Sequence, residues 1–273
     1  MLYLCGMMKQ PELNEYRMGR GVRAFSSTRH GGYSKGPYAA FNINRFCGDE
    51  EEDILRNSLA LCQTLDITGD RLVMPHQIHE THIVDIDEQF LALDTAERRE
   101  HLEGVDALMT NVRGVCIGVS TADCIPVLLY DPEKQAVSAI HAGWRGTVKR
   151  IVEKAVTAMV KSYGTQPSDI IAQIGPGIHL DSFEVGDEVY ETFLNEGFDM
   201  TAISKRYPTV DGMGEKWHID LPECNHRQLM AAGIPSNHIA MSPVCTFQQS
   251  ADYFSARRLG IKSGRIFTGI MLE

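Results

Sequence analysis

The segment 136–164, "AVSAIHAGWRGTVKRIVEKAVTAMVKSYG", constrains the fold most, because it joins a strand pattern to a helix pattern through a glycine-bracketed loop. Its apolar start predicts a strand that ends near His141. The remainder has the helical period and is expected to end at Gly164. The expected buried stripe of this helix comprises Ile151, Ala155, Val156, Met159 and Val160. A unit of this kind requires a sheet with a helix packed on it.

Strand and helix patterns alternate along the rest of the chain. Strands are predicted in "HIVDID", "DALMT", "VCIGVST", "CIPVLLYD", "DIIAQIG", "HIAMSPV" and "GRIFTGIML". Helices are predicted at about 53–65, where Asp49 or a nearby acidic residue is the expected cap, in "DEVYETFLNEG", and at about 221–232. The expected apolar residues of the first helix are Ile54, Leu55, Leu59, Leu61, Cys62 and Leu65. No repeat or linker interrupts the pattern, so we predict one domain over residues 1–273 that combines α and β structure.

Composition narrows the classes of partner. The net charge is −10 and no basic tract occurs, which argues against binding to a nucleic acid polymer. The seven cysteines form no CxxC pair and are expected to be reduced thiols in a cytoplasmic protein. The apolar run at residues 1–8 is too short for a signal sequence or a membrane span, so we predict no membrane contact.

Three histidines occur at every third position in "HQIHETH", namely His76, His79 and His82. The preceding proline and the apolar alternation that follows favour extended chain. In a strand, His79 would share a face with Gln77 and Thr81, and the other two histidines would lie on the opposite face. This segment alone therefore cannot direct all three histidines at one metal ion.

Two further segments carry chemically useful residues near strand ends. In "STADCIPVLLY", Cys124 precedes a strand, where a thiolate could bind a metal or attack a substrate, although a free cysteine is by default a small buried hydrophobe. In "AIHAGWRGTVKR", His141 ends a strand and Arg145 lies at the head of a helix that Thr147 is expected to cap. That arrangement favours an anion site. The alternative is a tight turn with Trp144 in the core.

Taken together, His79, Cys124 and His141 offer two imidazoles and one thiolate. Three such ligands suit zinc and leave a fourth position open, as in catalytic zinc sites, and the same donors also suit copper. Their spacings match no local zinc-finger pattern, so spacing alone does not justify joining them. Arg29 in "TRHGG" and Arg258 in "YFSARRLG" are weaker candidates for anion contacts, since exposed arginines are common.

The chain resembles the YfiH-like family, also called the laccase-domain or multi-copper polyphenol oxidase family. The resemblance covers nearly the whole chain through "TRHGGYSKGPY", "HQIHETHIV", "GVDALMT", "TADCIPVLLYD", "AIHAGWRGT", "IGPGIHLDSFEVGDEV", "CT" and "YFSARRLGIKSGR". It implies a single α+β domain, a mixed β-sandwich flanked by helices, with His79, Cys124 and His141 as metal ligands. It also implies a zinc-dependent purine nucleoside phosphorylase that acts on adenosine, inosine, guanosine and methylthioadenosine and deaminates adenosine.

The resemblance and the residues together suggest roles around that metal. Cys124, His141 and Arg145 are the expected catalytic residues, and Arg145 is the first choice for the phosphate. Arg29 and Arg258 are further candidates for substrate contacts, and so is Gln77, from the expected face of His79. His76 and His82 are left with structural or supporting roles.

The sequence departs from the family pattern at two positions, and three alternative functions remain open. Glu80 stands where the family usually has glycine, and Ala256 where an aromatic residue is usual. The alternatives are a copper-dependent polyphenol oxidase, a Cys–His hydrolase and a non-enzymatic protein with a structural zinc. In the hydrolase, Cys124 would be the nucleophile and His141 the base, with a suggested role in editing peptidoglycan precursors.

Overall fold

The structure is a computed structural model that describes residues 9–209 and 212–273. The apolar run at residues 1–8, from which the absence of a signal sequence was predicted, lies outside the described residues. In the part of the chain that is described, no helix has both the length and the apolar character needed to cross a membrane.

Strands and helices are interspersed along the described residues. The strands are β1 Leu13–Tyr16, β2 Val22–Ser27, β3 Leu72–Val73, β4 Ile83–Asp85, β5 Ala107–Thr110, β6 Cys116–Thr121, β7 Ile125–Asp131, β8 Ala136–Ala142, β9 Ile171–Ile174, β10 Glu184–Val185, β11 Ser204–Pro208, β12 Glu215–Ile219, β13 Ile239–Met241 and β14 Ile266–Leu272. The helices are α1 Glu51–Leu65, α2 Glu88–Ala92, α3 Thr95–His101, α4 Trp144–Val148, α5 Ile151–Tyr163, α6 Asp187–Asn195, α7 Met200–Ile203, α8 Leu221–Ala231 and α9 Ala256–Leu259.

Two sheets pack face to face and enclose a central apolar core. The five-stranded sheet has the order β1-β2-β14-β6-β3, and the six-stranded sheet has the order β13-β9-β7-β8-β5-β4. Ile117 and Ile270 of the first sheet share a fully buried cluster with Leu128 and Val137 of the second. A small third sheet is separate from these two and has the strand order β10-β12-β11.

Helices cover the outer faces of both sheets. Val152 of α5 and Leu229 of α8 join Val127 of β7 in the largest apolar cluster. On the other side, Leu61 of α1 packs in one cluster with Phe25 of β2. The predicted mixed β-sandwich flanked by helices is confirmed. The central strands are buried at every position, because one face of each packs on the opposite sheet and the other face lies under helices.

The apolar stripes of two helices are narrower than predicted. Leu55 and Leu59 of α1 are exposed, and so is Val160 of α5. Leu55 and Leu59 are four residues apart, so they share one helical face, and that face points away from the sheet. A helix that lies on one sheet buries a single stripe of side chains. Apolar character alone therefore overestimated the number of buried residues in these helices.

The start of α1 also differs from the prediction. The helix begins at Glu51, and the side chain of the preceding residue, Glu50, makes no capping hydrogen bond. The Asp49 carboxylate instead accepts hydrogen bonds from Ser34 Oγ at 2.6 Å and Asn42 Nδ2 at 2.8 Å. Asp49 therefore organises the loop before the helix and does not cap it through its side chain.

The helix predicted after the glycine-bracketed loop is broken into two parts. Arg150 adopts a left-handed conformation, φ 60°, between α4 and α5. Its guanidinium donates to Glu153 and to the carbonyl of Glu196, and it stacks on Phe198 at 4.7 Å, which holds the break in place. Thr147, the predicted cap, is instead buried inside α4, and the cap position is occupied by Gly143.

Candidate metal centre

The β7–β8 hairpin brings Cys124 and His141 together. In its antiparallel register Ile125 pairs with Ala142, and Pro126 pairs with His141. Cys124 comes directly before β7, so the hairpin places it beside the end of β8. The sequence separation between these two residues is thus the length of one hairpin, and for this reason it matches no metal-binding spacing motif.

The segment that carries His79 is a bent loop and not the predicted strand. His79 has a φ of 66°, in the left-handed region that extended chain does not use. The cause is the Asp106 carboxylate, which accepts three successive backbone N–H groups, from Ile78 at 3.3 Å, His79 at 3.0 Å and Glu80 at 2.8 Å. Wrapping three amides around one carboxylate bends the chain, so the predicted assignment of side chains to alternate faces is wrong.

The structure brings His79, Cys124 and His141 into one group. Their potential ligand atoms all lie within 4.8 Å of one another. Cys124 Sγ is 3.8 Å from His79 Nε2, and the two imidazole rings meet edge to face, with centroids 4.8 Å apart. Two nitrogen donors and one sulfur donor at this separation fit the donor set of a zinc or copper site, so the group could hold a metal ion.

The other two histidines of the segment lie outside this group. His76 Nδ1 lies 2.7 Å from a Glu103 carboxylate oxygen, and its ring stacks on Phe46 at 3.9 Å. His82 accepts backbone hydrogen bonds from Asp106 and Ala107 through its carbonyl. The structural roles predicted for His76 and His82 agree with these contacts.

Asp106 is the residue that the sequence analysis missed. Its side chain is fully buried and also accepts a hydrogen bond from His141 Nδ1 at 2.7 Å. Engaging Nδ1 leaves the other ring nitrogen, Nε2, for a metal, the usual arrangement of a metal-binding histidine. The available signal was an aspartate placed immediately before the apolar strand of "GVDALMT". A buried charge at a strand entry requires several partners.

The group also perturbs the acidity of its members. Burial by itself raises the pKa of the Cys124 thiol, but the positive charge of His141 and hydrogen bonds to both imidazoles outweigh burial and lower that pKa to about 6. Burial lowers the pKa of His141, yet the Cys124 thiolate and the Asp106 carboxylate outweigh it and raise that pKa to about 9. Without metal, the pair is therefore a thiolate and an imidazolium at neutral pH.

Metal-stripped protein is accordingly expected to be alkylated at Cys124 by iodoacetamide near neutral pH. Because the pKa of Cys124 is lowered to about 6, the thiolate population and the rate should rise as the pH increases through that value. Mass spectrometry of tryptic peptides measures the rate. The half-buried Cys47, whose thiol pKa is raised chiefly by burial, is the internal control and should react only at higher pH. Reaction of both thiols with the same pH midpoint would contradict this electrostatic description, and zinc should protect Cys124.

Gly143 supplies the space that the group needs. A Cβ atom at this position would lie 2.8 Å from His79 Cδ2 and 3.0 Å from Cys124 Sγ. Gly143 itself has φ −66° and ψ 167°, which any residue can adopt. The glycine is therefore required by the closeness of the two side chains and not by its backbone conformation.

Arg145, the first choice for the phosphate, and Arg258, one of the two further candidates, are exposed. Arg145 stacks its guanidinium on Trp144 at 4.3 Å, and Trp144 is partly buried against the helix-side core. Arg258 lies over Phe247 at 5.1 Å. Within residues 9–209 and 212–273, neither guanidinium has a hydrogen-bonded or carboxylate partner. Both groups can therefore accept an anionic ligand.

Arg29 and Gln77 are engaged by the protein itself. Arg29 donates to the carbonyls of Ala39 and Ser250, which ties two loops together. The Gln77 amide donates to the Ser120 carbonyl at 2.9 Å and accepts from the Ser120 N–H at 2.8 Å. Both ends of the Gln77 amide fasten the His79 loop to β6. The substrate contacts predicted for Gln77 and Arg29 stay predictions. Gln77 and Arg29 act here as positioning residues.

An open cleft of about 350 Å³ is lined in part by Asp123, the residue that precedes Cys124. Asp123 has φ 89° and accepts hydrogen bonds from Thr246 Oγ1 and the Arg257 backbone N–H, each at 2.7 Å. These bonds join the Cys124 turn to the loop at Thr246 and to the first turn of α9. Ala256, one of the two departures from the family pattern, forms part of the wall. The lining comprises Asp123, Ile178, Phe183, Ala256, Arg257 and Ile261.

Comparison with known proteins places this arrangement in a family. The model of the family described as multi-copper polyphenol oxidoreductase laccase matches residues 23–273. The chain belongs to this family. The match includes all three candidate ligands, Asp106 and the residues that line the cleft.

Relatives within the laccase family carry names from nucleoside chemistry. A Bacteroides thetaiotaomicron protein named purine nucleoside phosphorylase is 48% identical over 252 residues, covering 92% of each chain. A protein named adenosine deaminase RL5, from an unknown prokaryotic organism, is 43% identical over 264 residues, covering 97% of this chain and 99% of the relative. The crystal structure of the Bacillus licheniformis hypothetical protein YfiH superposes with a TM-score of 0.87 at 28% identity, covering 96% of this chain and 97% of that one.

Proposed function

We propose that this chain is a zinc-dependent purine nucleoside phosphorylase that also deaminates adenosine. The observation that carries the proposal is the grouping of His79, Cys124 and His141, whose ligand atoms lie within 4.8 Å of one another. Three protein donors leave one coordination position for water or substrate. The names of the relatives support nucleosides as the substrate class.

Two reactions follow from the proposal. In phosphorolysis, an oxygen of phosphate attacks C1′ of the ribose, the bond to purine N9 breaks, and the products are purine and ribose 1-phosphate. In deamination, water adds to C6 of adenosine and ammonia leaves, which forms inosine. The proposed nucleosides are adenosine, inosine, guanosine and methylthioadenosine, and inorganic phosphate is the second substrate.

The chain's own residues have distinct tasks in these reactions. A zinc ion held by His79, Cys124 and His141 would act as a Lewis acid and lower the pKa of bound water. Asp106 holds His141 in one orientation through Nδ1. Arg145 binds the phosphate through its exposed guanidinium, because no protein group within the described residues occupies it. Arg258 is the second candidate for this contact.

The cleft beside Cys124 is the proposed nucleoside pocket. Its lining combines apolar side chains, such as Ile178 and Phe183, with the charged groups of Asp123 and Arg257. Apolar walls with a few polar groups are typical of sites for small aromatic ligands. Arg257 lines the cleft, whereas the sequence predicted a substrate contact for its neighbour Arg258.

A cysteine hydrolase is the second candidate function. The observation that favours it is the thiolate–imidazolium character of Cys124 and His141. Burial raises the pKa of Cys124, but the His141 charge and the hydrogen bonds to both imidazoles together lower that pKa to about 6. A nucleophilic thiolate with an adjacent base, oriented by a buried carboxylate, has the parts of a catalytic triad. Such an enzyme would act on amide substrates, among which peptidoglycan precursors are the suggested class.

One set of assays tests the two candidates together. Zinc-loaded protein is incubated with adenosine, with and without phosphate, and adenine, inosine and ribose 1-phosphate are measured by chromatography. We expect ribose 1-phosphate only with phosphate, inosine in both cases, and loss of at least about 100-fold in rate after zinc removal or in Cys124→Ser. Copper-loaded protein, assayed in parallel with a phenolic substrate, tests the polyphenol oxidase alternative.

The outcomes separate the candidates. Absence of nucleoside turnover in wild-type protein under every metal condition would show that the proposed function is wrong. Activity on an amide substrate that persists after complete zinc removal, and is lost in Cys124→Ser, would favour the thiol nucleophile.

A further inference from the structure

Glu80 places a carboxylate beside the proposed phosphate site. Its Oε2 atom lies 2.5 Å from Lys149 Nζ, and both side chains are about half exposed. Lys149 is the C-cap residue of α4, the helix that carries Arg145. The ion pair thus connects the metal-ligand loop to the helix that presents the phosphate-binding arginine.

Arg145 and Lys149 lie on the same side of α4. The Lys149 N–H donates to the Arg145 carbonyl at 3.1 Å, so the two residues are one helical turn apart and their side chains are neighbours. Gly146 lies three residues before Lys149 and so shares a helix face with it, and a Cβ atom at Gly146 would lie 3.4 Å from the Glu80 carbonyl oxygen. The C-terminal end of α4 therefore meets the loop that carries His79 and Glu80 through Gly146 and Lys149, and Arg145 is the neighbour of Lys149 on the helix surface.

The backbone of that loop keeps the Glu80 carboxylate within reach. The Glu80 N–H donates to Asp106 Oδ2 at 2.8 Å, and the preceding residue, His79, donates to Asp106 Oδ1 at 3.0 Å. Asp106 is fully buried, so these bonds are shielded from water. Glu80 is consequently anchored next to a candidate metal ligand, and its charge is paired with Lys149, the neighbour of Arg145 on α4.

We propose that Glu80 is a specificity-determining residue whose carboxylate competes with inorganic phosphate for the cationic corner formed by Arg145 and Lys149. This inference rests on the proposed function and concerns the ratio of deamination to phosphorolysis. A resident carboxylate neutralises Lys149 and repels a phosphate dianion, while a neutral water molecule is unaffected. The chain is therefore biased towards deamination and away from phosphorolysis when phosphate is scarce.

The test is the isosteric variant Glu80→Gln in the zinc-loaded protein. Removal of the charge should lower the KM for phosphate by about 3- to 10-fold, the range expected for one nearby charge at a partly exposed site. The ratio of ribose 1-phosphate to inosine formed from adenosine should rise accordingly at subsaturating phosphate. Glu80→Asp, which keeps the charge, should stay closer to wild type in the phosphate KM.

A matched control removes a comparable ion pair elsewhere. Glu15 pairs with Arg23 at 2.8 Å, across the neighbouring strands β1 and β2 of the five-stranded sheet. Glu15→Gln should leave the phosphate KM and the product ratio unchanged. A second control, Lys149→Gln, should raise the phosphate KM and reduce the effect of adding Glu80→Gln, because the two groups act on the same ligand.

Direct binding of phosphate distinguishes failure of this inference from failure of the proposed function. Calorimetric titration of inorganic phosphate into zinc-loaded wild type and Glu80→Gln requires no turnover. Tighter binding by the variant supports the inference even without nucleoside chemistry. Equal or weaker binding by the variant, or an unchanged phosphate KM with normal turnover, would show that Glu80 does not compete with phosphate.

Discussion

Replacement of Asp106 by asparagine is expected to lower zinc affinity by about 10- to 100-fold, with a matching loss of activity at limiting zinc. Asp106 holds both imidazole ligands, His141 directly through Nδ1 and His79 through the backbone of its loop. An asparagine side chain has one acceptor oxygen in place of two. Its amide N–H₂ must therefore face either the loop amides or the imidazole, and one of these loses its partner.

The alanine variant should have a larger effect on stability. Asp106→Ala leaves three backbone N–H groups and His141 without their buried acceptor, which is expected to reduce the free energy of unfolding by about 3–5 kcal/mol. Zinc affinity is measured by competition with a chromophoric chelator, and stability by chemical denaturation of metal-stripped protein. Separating the two measurements shows whether the metal loss exceeds what unfolding alone explains.

Asp131 provides the matched control for Asp106. It is also a fully buried aspartate and is the last residue of β7, at the end of the strand remote from Cys124. Its Oδ1 atom accepts the backbone N–H groups of Glu133 and Lys134. Asp131→Asn should reduce stability but leave zinc affinity of the folded protein unchanged. Equal zinc affinity in Asp106→Asn and Asp131→Asn would contradict the positioning role of Asp106.

Replacement of Gly143 by alanine is the second change with a large expected effect. The new methyl group would lie 2.8 Å from His79 Cδ2 and 3.0 Å from Cys124 Sγ, closer than van der Waals contact permits. The His79 ring and the Cys124 sulfur must move apart to admit the methyl group. We therefore expect zinc affinity to fall by roughly tenfold or more, as for other perturbations that move metal ligands. Metal content after dialysis against a chelator measures the loss.

Gly146 is the control for this substitution. Its added Cβ would meet neighbours at 3.4 Å and beyond, and it lies inside α4. Alanine there should be tolerated and can favour the helix by about 0.5–1 kcal/mol. If Gly143→Ala retained zinc as well as Gly146→Ala does, the close packing described for His79 and Cys124 would be incorrect.

The local elements around the site were predictable because their causes are local. Apolar runs flanked by turn residues predicted β7 and β8, and the helical period after the glycine-bracketed loop predicted α5. Antiparallel pairing of consecutive strands then accounts for the meeting of Cys124 and His141. The addition of His79 to this pair depended on the family resemblance, since no sequence spacing links it to either residue.

Other features of the site were not predictable because they depend on groups far apart in the sequence. The left-handed conformation at His79 is imposed by Asp106, which lies 27 residues away. The break at Arg150 depends on the Glu196 carbonyl and the Phe198 ring. Local propensity for an extended chain or a continuous helix is worth less than these tertiary contacts.

The sequence by itself determined the α+β class, the order of the elements and the types of donor available for a metal, since these follow from periodicity and residue chemistry. Only the tertiary structure decided which histidine of "HQIHETH" meets Cys124, and that Asp106 holds the group together. The physical reason is that a buried carboxylate requires several hydrogen-bond donors. Asp106 obtains them by bending the His79 loop and by binding His141, and these partners become neighbours only after the chain has folded.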